Sequence, residues 1–582
     1  MAMNDEHQPS SRRPVHILDF PDEVLLAILD AMDLHSVIYY ETRSDISDKP
    51  LINFRSTCRR FYEVSSHLLI RHIDVKFTQS SISFLEEVSR HPTISKGVQD
   101  VHVYLLFFSR ELSQSFTKFV AYYAQELHEH LDISGQGGKR VVDGSYQARG
   151  VRSSWTRILH SILHPKPPKP ARQPDPEDED DEEGDSDYLG QHAEDAAHKA
   201  LLERAHREYQ RLYAEQEAIR QSGKLVQVLA AAMARMPHAI NLDISDVVTQ
   251  YLTRQKLWDF PTRRGVGVYE AYYKAMQVPI SAVQAQRRNL KPSALYPALI
   301  QIPLAICRAG VNLKSFKIAA LGMEKSSDLI SDATSHEELA LGLQQLEHFA
   351  FHGTPGIQYS RLEPKKAEHL DNFLKSCVNS PDLKVLDLDP TGRFGPEMMM
   401  LLEDDENYEF PSSCLALRPA VPRQKLRTLN LWGASFRSDE LLVFLSSLPP
   451  KMESLHLSVI RLTHGTWEEI LDALRKKTYG YEFNEFEPDE IAVLLRGLTG
   501  GEIASMTITQ KRMLLEQGKY ASTNMVEDYV LRFTNHNPFK ELRMGRLDDE
   551  EWQSDELAEF MEDDEDDEDE DMPDLMPVNF LV

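Results

Sequence analysis

Cysteine is scarce. Cys58, Cys307, Cys377 and Cys414 are the only four in 582 residues, far apart and never in CxxC spacing. This excludes a disulfide scaffold and a cysteine zinc module, and fits free thiols in a reducing compartment. No apolar run reaches the roughly 18 residues of a membrane span, and "MAMNDEHQPSSRRPVHILDF" has no signal-type stretch. A soluble protein of the cytoplasm, the nucleus or both is expected, with no membrane partner. Nucleophile elbows and kinase signatures are also missing. "GQGGKR" at 135–140 lacks the earlier glycine of a phosphate loop and places Arg140 where a magnesium-binding hydroxyl belongs. His72-Ile73-Asp74 has the His-x-Asp spacing of an iron site but no third ligand, so it reads as a surface pair on a strand. "HEH" at 128–130 has no cysteine nearby. Neither an enzyme nor a cofactor is expected.

Basic excess is missing too. The net charge of −28 comes wholly from two segments without a single base, "DPEDEDDEEGDSD" at 175–187 and residues 548–582. The remainder is neutral overall, which gives no footprint for nucleic acid. Like charges in such runs resist compaction, so both segments read as solvated disorder or as arms for basic proteins.

At this length several domains or a repeat array are expected. Residues 1–14 are polar and loose, 15–69 hold two helical patterns, and 70–131 hold short apolar runs. The Gly-rich, Pro-rich and acidic stretch 132–188 reads as a disordered insertion with one short helix near "SSWTRILHSILH". A long helix follows over 189–235, running through Gly223.

From 236 to 547 one pattern recurs: apolar, two variable, then apolar-variable-apolar. It appears as Leu313-Phe316-Ile318, Leu346-Phe349-Phe351, Leu383-Leu386-Leu388, Leu426-Leu429-Leu431 and Met452-Leu455-Leu457. Weaker copies are Ile70-Ile73-Val75, Val98-Val101-Val103, Ala239-Leu242-Ile244 and Phe539-Leu542-Met544. Helical segments precede several copies, as "SDELLVFLSSLPP" precedes "KMESLHLSV". A short strand cannot bury its apolar face alone, so stacked strand-helix units are the natural solution. The copies resemble leucine-rich repeats. Thr354, Thr391, Ala434 and Ile460 stand where that family commonly has Asn or Cys, so an irregular α/β solenoid is expected. Helical patterns in "HGTWEEILDALRKK" and "EPDEIAVLLRGL" would extend or cap it.

The stretch "ILDFPDEVLLAILDAMDL" opens with Pro21, then acids Asp22 and Glu23 at the positive end of a helix dipole. Val24, Leu25, Ile28, Leu29 and Met32 form one apolar stripe. A second helix carries Leu51, Phe54, Cys58 and Phe61 on one face. Phe20-Pro21, Glu23, Leu25, Ile28, Leu29 and Met32, with Leu51, Phe54, Arg55, Cys58, Arg59 and Phe61, resemble an F-box. The connection 33–50 is about ten residues longer than that family's usual loop. The resemblance implies docking on a Skp-type adaptor of a cullin-RING (SCF-type) ubiquitin ligase, through Phe20, Pro21, Glu23, Leu25, Ile28, Leu29, Leu51, Phe54, Cys58 and Phe61. It further implies that the repeat region holds an unknown protein substrate. The alternative is a scaffold or chaperone for basic proteins, independent of any ligase.

Alternation along the strands turns Ser315 and Lys317, His348 and His352, Asp387 and Asp389, Thr428, Asn430 and Trp432, then His456 and Ser458 onto one outer face. Lys317, His348, His352, Asp387, Asp389, Asn430, Trp432 and His456 are the expected substrate contacts, with Trp432 as anchor. Deleting both acidic segments should leave a cooperative melt and adaptor binding intact. Any basic partner held by them should dissociate as salt nears about half-molar, where screening reaches only a few ångströms. Loss of the cooperative melt would instead make the segments structural.

Overall fold

The computed structural model describes residues 17–31, 48–136, 144–164, 185–246, 268–291, 294–320, 333–353, 372–389, 423–450, 452–478, 493–516 and 524–544. Residues 1–14, Met32, most of the 33–50 connection and of the first acidic segment, Thr354, Thr391 and the 548–582 segment lie outside them.

Alternating apolar residues build nine short strands: β1 (His72–Lys76), β2 (Asp100–Tyr104), β3 (Asn241–Ser245), β4 (Ser315–Ala319), β5 (His348–His352), β6 (Val385–Asp389), β7 (Thr428–Trp432), β9 (Ser454–Ser458) and β11 (Val493–Arg496). They form one open parallel sheet whose spatial order is the chain order. The register is constant, so the inward residues line up in two rows crossing every strand. One runs Ile73, Val101, Leu242, Phe316, Phe349, Leu386, Leu429, Leu455, Val493; the other runs Val75, Val103, Ile244, Ile318, Phe351, Leu388, Leu431, Leu457, Leu495. Every one of these residues is buried. The protein is therefore mixed α/β, with its main core between this sheet and a layer of helices. Those helices include α4 (Gln79–Arg90), α9 (Lys224–Arg235), Ala298–Arg308 and Ala333–Gly342, each packed on the next, and later Ser438–Ser447 on Trp467–Lys477.

A second parallel sheet follows the strand ends late in the chain: β8 (Ser435–Arg437), β10 (Arg461–His464) and β12 (Thr499–Gly500). Arg461 N donates to Ala434 O at 3.0 Å and Thr499 N to Ile460 O at 2.9 Å. Backbone thus pairs with backbone beside the positions where an asparagine side chain was expected to be missing, which satisfies the buried peptide groups there.

Four expectations are corrected. Residues 144–163, expected as linker with one short helix, form a 20-residue helix, α7 (Gly144–Leu163). Val151, Trp155 and Ile158 supply an apolar stripe that buries it against α6 (Phe116–Gln136). The long helix stops at Ser222: α8 (Asp185–Ser222) and α9 are separated by Gly223, whose φ of 63° is left-handed. "AVLLRGL" supplies strand β11, not a helix, because Val493 and Leu495 alternate inward. Residues 538–543 are a helix, not a repeat strand, with Pro538 in its first turn and Asn537 Oδ1 accepting from Phe539 N.

The region between β2 and β3 is largely helical, and α8 ties it to the sheet. Gln216 bridges Phe108 N at 2.9 Å and Leu106 O at 3.0 Å, Tyr209 Oη accepts from Ser109 N at 2.7 Å, and His206 Nε2 donates to Leu112 O at 3.0 Å. Buried backbone leaving β2 is thereby satisfied by side chains of one helix.

Both sheet edges are capped. At β1, Ser81 Oγ accepts from Lys76 N at 2.9 Å and donates to Asp74 O at 3.4 Å. At β11, Leu495 N donates to Glu527 Oε1 at 2.7 Å and Asn524 Nδ2 donates to Leu495 O at 2.9 Å, so two side chains imitate a further strand. Burial pushes the Glu527 carboxyl up to about 7, partly opposed by the N–H groups of Leu495 and Asn524. Because the folded value exceeds the ordinary 4.5, the native state binds the extra proton between those values. Its stabilising effect is complete below about 4.5 and lost as pH rises through about 7. Glu527→Gln should therefore flatten the fall in melting temperature between about pH 5 and 8, a difference on the order of 3 kcal/mol at most. Identical pH slopes in the two proteins would contradict this assignment.

Candidate functional site

The N-terminal hairpin is built from α1 (Asp22–Ala31), α2 (Asp48–Thr57) and α3 (Arg59–Ser65). Pro21 O accepts from Val24 N and Leu25 N, so Pro21 stands just ahead of α1 as its cap. The second helix expected from sequence is divided at Cys58, which is extended with φ −158°. Ser56 Oγ and Thr57 Oγ1 both bond back to Asn53 O, at 2.9 and 3.1 Å, competing with continuation of the helix. Arg60 draws the entry segment onto α3: its guanidinium donates to Leu18 O, to Phe20 O at 2.7 Å and to Asp22 at 2.8 Å.

Leu29, Leu51 and Leu68, with Leu26 and Phe54 against them, form a core separate from the main one. This corrects the expected docking set. Leu25, Leu29, Leu51 and Phe61 are buried inside the hairpin, so they hold it together and cannot face a partner. Phe20, Ile28, Phe54 and Cys58 are half-buried, while Pro21 and Glu23 are exposed. The Phe54 and Phe61 rings stack at 4.1 Å, and the Arg55 guanidinium lies 4.6 Å from the Tyr62 ring centroid. Among the described side chains of α1 and α2, Val24 at 39% and Ile52 at 51% exposure are the open large aliphatic ones. Ile52 and Arg60 escaped the sequence reading, which followed only the buried stripe. The 66–68 turn presses on Gly97, where a Cβ would meet His67 O at 1.4 Å, so only glycine lets the hairpin seat against the first repeats.

The outer face of the sheet is the second surface. Lys317, Ala350, Asp387, Asn430 and His456 align across β4 to β9 in one row, and His348 lies in the row nearer the strand starts. His352 Nε2 stands 3.2 Å from Asp387 Oδ2, and Ser454 Oγ 3.2 Å from His456 Nε2. Burial, reinforced by the Lys317 charge and opposed by Asp387, lowers the His348 imidazole to about 4. Asp389 was expected on the open face but is only 2% exposed. It closes β6 in register with His352 of β5, which is itself only half-buried. Trp432, the last residue of β7 and in register with Ser458, is half-buried. Neither Trp432 Nε1 nor Asn430 Oδ1 reaches solvent or a hydrogen-bond partner.

The face also continues where it was not sought, onto β1 to β3. His72 Nδ1 pairs with Asp100 at 2.6 Å, and Asn241 Nδ2 donates to Asp100 Oδ1 at 2.8 Å. His72 thus pairs across strands and not with Asp74. Burial pushes the Asp100 carboxyl up, but the His72 and Asn241 hydrogen bonds, with the His72 and Lys317 charges, bring it below its ordinary value. The sequence already places His72 on a strand surface; extending the alternation to the next two weak copies would have added Asp100 and Asn241. Among the described residues no cluster suits a metal ion, and no helix is long and apolar enough to cross a membrane.

No family model matches the chain, and no curated protein or solved structure matches it.

Replacing Arg60 by Ala should release residues 18–22 without disturbing the sheet. Amide exchange of Leu18 to Leu25 should accelerate about tenfold or more while that of β2 to β9 stays unchanged, since charged hydrogen bonds contribute roughly 1.5–3 kcal/mol. Unchanged exchange in the entry segment would remove Arg60 from this role.

Proposed function

We propose that the chain is the substrate-receptor subunit of an SCF-type ubiquitin ligase. The hairpin docks a Skp-type adaptor and through it a cullin, and the outer face of the sheet holds the protein substrate. One observation carries the reading: the hairpin has a core of its own, with Phe54 half-covered against it, and still leaves Val24 and Ile52 open and Ile28 half-covered. A hairpin serving only to cap the array would have turned those residues onto residues 70–130. Exposed apolar anchors at the centre of a small surface are what an interface uses. In this reading the protein catalyses nothing itself; it brings a substrate to a ligase. The acidic scaffold reading rests on charge composition alone and makes no use of the open hairpin residues.

Ile28 and Ile52 are the residues to change, because Leu25 or Leu51 substitutions would unfold the hairpin. The Ile28→Asp/Ile52→Asp double variant should lose co-purification of adaptor and cullin from native lysate at least tenfold, while its melting temperature stays within a few degrees of the parent. Undiminished recovery of both subunits would sink the ligase assignment.

A further inference from the structure

The last turn of α7 carries two histidines that packing does not explain. Val151, Trp155 and Ile158 seat one face of this helix in the core. A second face is tied to α8: Ser154 Oγ donates to Asp195 Oδ1 at 2.5 Å, and Arg157 donates to both oxygens of that carboxylate, at 2.9 and 2.7 Å. The remaining face, with Ser153, His160 and His164, is exposed. His164 closes the final turn, its N–H donating to His160 O at 2.9 Å.

A spacing of four sets the two side chains one turn apart on the same side of the helix. Their ring centroids are 4.8 Å apart, with the planes inclined by 51°. Among the described residues neither imidazole has a hydrogen-bond or ion-pair partner. The histidines of the sheet face differ in this respect, since His72 is engaged by Asp100 and His352 by Asp387. Nor is the pair set against a cation: Arg157, one turn earlier, has its charge met by Asp195. A helix C-terminus is also the negative end of the macrodipole, which favours positive charge there.

We propose that His160 and His164 chelate one divalent transition-metal ion of the zinc, nickel or copper class. Rotation about the exposed χ2 bonds turns one nitrogen from each ring to a shared ion at roughly 2.0–2.1 Å. Imidazole nitrogen suits these ions and discriminates against magnesium and calcium, which take oxygen ligands. No group of three or more His, Cys, Asp or Glu suits a metal among the described residues, so the chain supplies two ligands and water the rest. Held at both points, the ion bridges the two ends of one helical turn and fastens the end of α7. The inference is independent of the ligase reading, because α7 belongs neither to the hairpin nor to the sheet face.

The test titrates Ni2+ into the full chain by calorimetry. A background of roughly 10 mM Mg2+ occupies the acidic segments without competing for imidazole. The parent should show one site about tenfold tighter than any site in His160→Ala or His164→Ala, as loss of one arm of a chelate implies. The double variant His164→Ala/Ser161→His keeps two imidazoles but places them at adjacent positions, which do not face each other. It should bind no more tightly than the single variants. Saturating Ni2+ should also slow amide exchange at Leu163 and His164 about tenfold in the parent and in none of the variants. Equal affinity of the parent and the double variant, or unchanged exchange at the end of α7 in the loaded parent, overturns the proposal.

Discussion

Two rows of apolar side chains, locked in one register across nine strands, are the constraint from which the rest follows. A five-residue strand turns only two or three residues inward, too few to fold alone, so each is stable only between its neighbours. A slip of one residue at any strand would turn its whole apolar set to the outside. The register is thus strongly specified, and with it the position of every outward residue. That is how His352 and Asp387 meet from different strands, and how Asp100 receives both His72 and Asn241.

What was legible follows from this period of two. The apolar triples marked eight strands, including the weak copies at Ile73, Val101 and Leu242. The ninth was misread because Leu494 interrupts the alternation with a further apolar residue, and an unbroken run such as "AVLL" suits helix and strand alike. In α7 the Gly-rich flank masked Trp155, whose burial depends on helices far away in sequence. The hairpin was legible as helices, but not the division of labour within it. A stripe of Leu25, Ile28, Leu29 and Leu51 looks the same whether a residue packs inward or meets a partner. Only the fold separates buried Leu25 from half-covered Ile28 and open Ile52. On the sheet, alternation gave the direction of each side chain but not its depth, so Asp389 was placed correctly in row and wrongly in exposure.

The helices between β2 and β3 illustrate how a stacked sheet tolerates a long insertion. Neighbouring strands need only remain adjacent in space, and β2 pairs with β3 in unbroken register despite the intervening α5 (Arg110–Gln114) to α9. The cost falls on the backbone leaving β2, which Gln216, Tyr209 and His206 satisfy from α8. Those polar residues are buried for that purpose and leave the outer face of the sheet to other work.

The capped edges have a consequence for molecules in company. In a parallel stack the free side of the last strand is complementary to the free side of the first, so bare copies would join head to tail, into an open chain wherever the rotation between them does not close a ring. Growth of that kind is a filament. Ser81 at one end, and Asn524 with Glu527 at the other, occupy the groups that would start it. Three side chains thereby oppose that growth at both ends of the sheet, without a further strand at either.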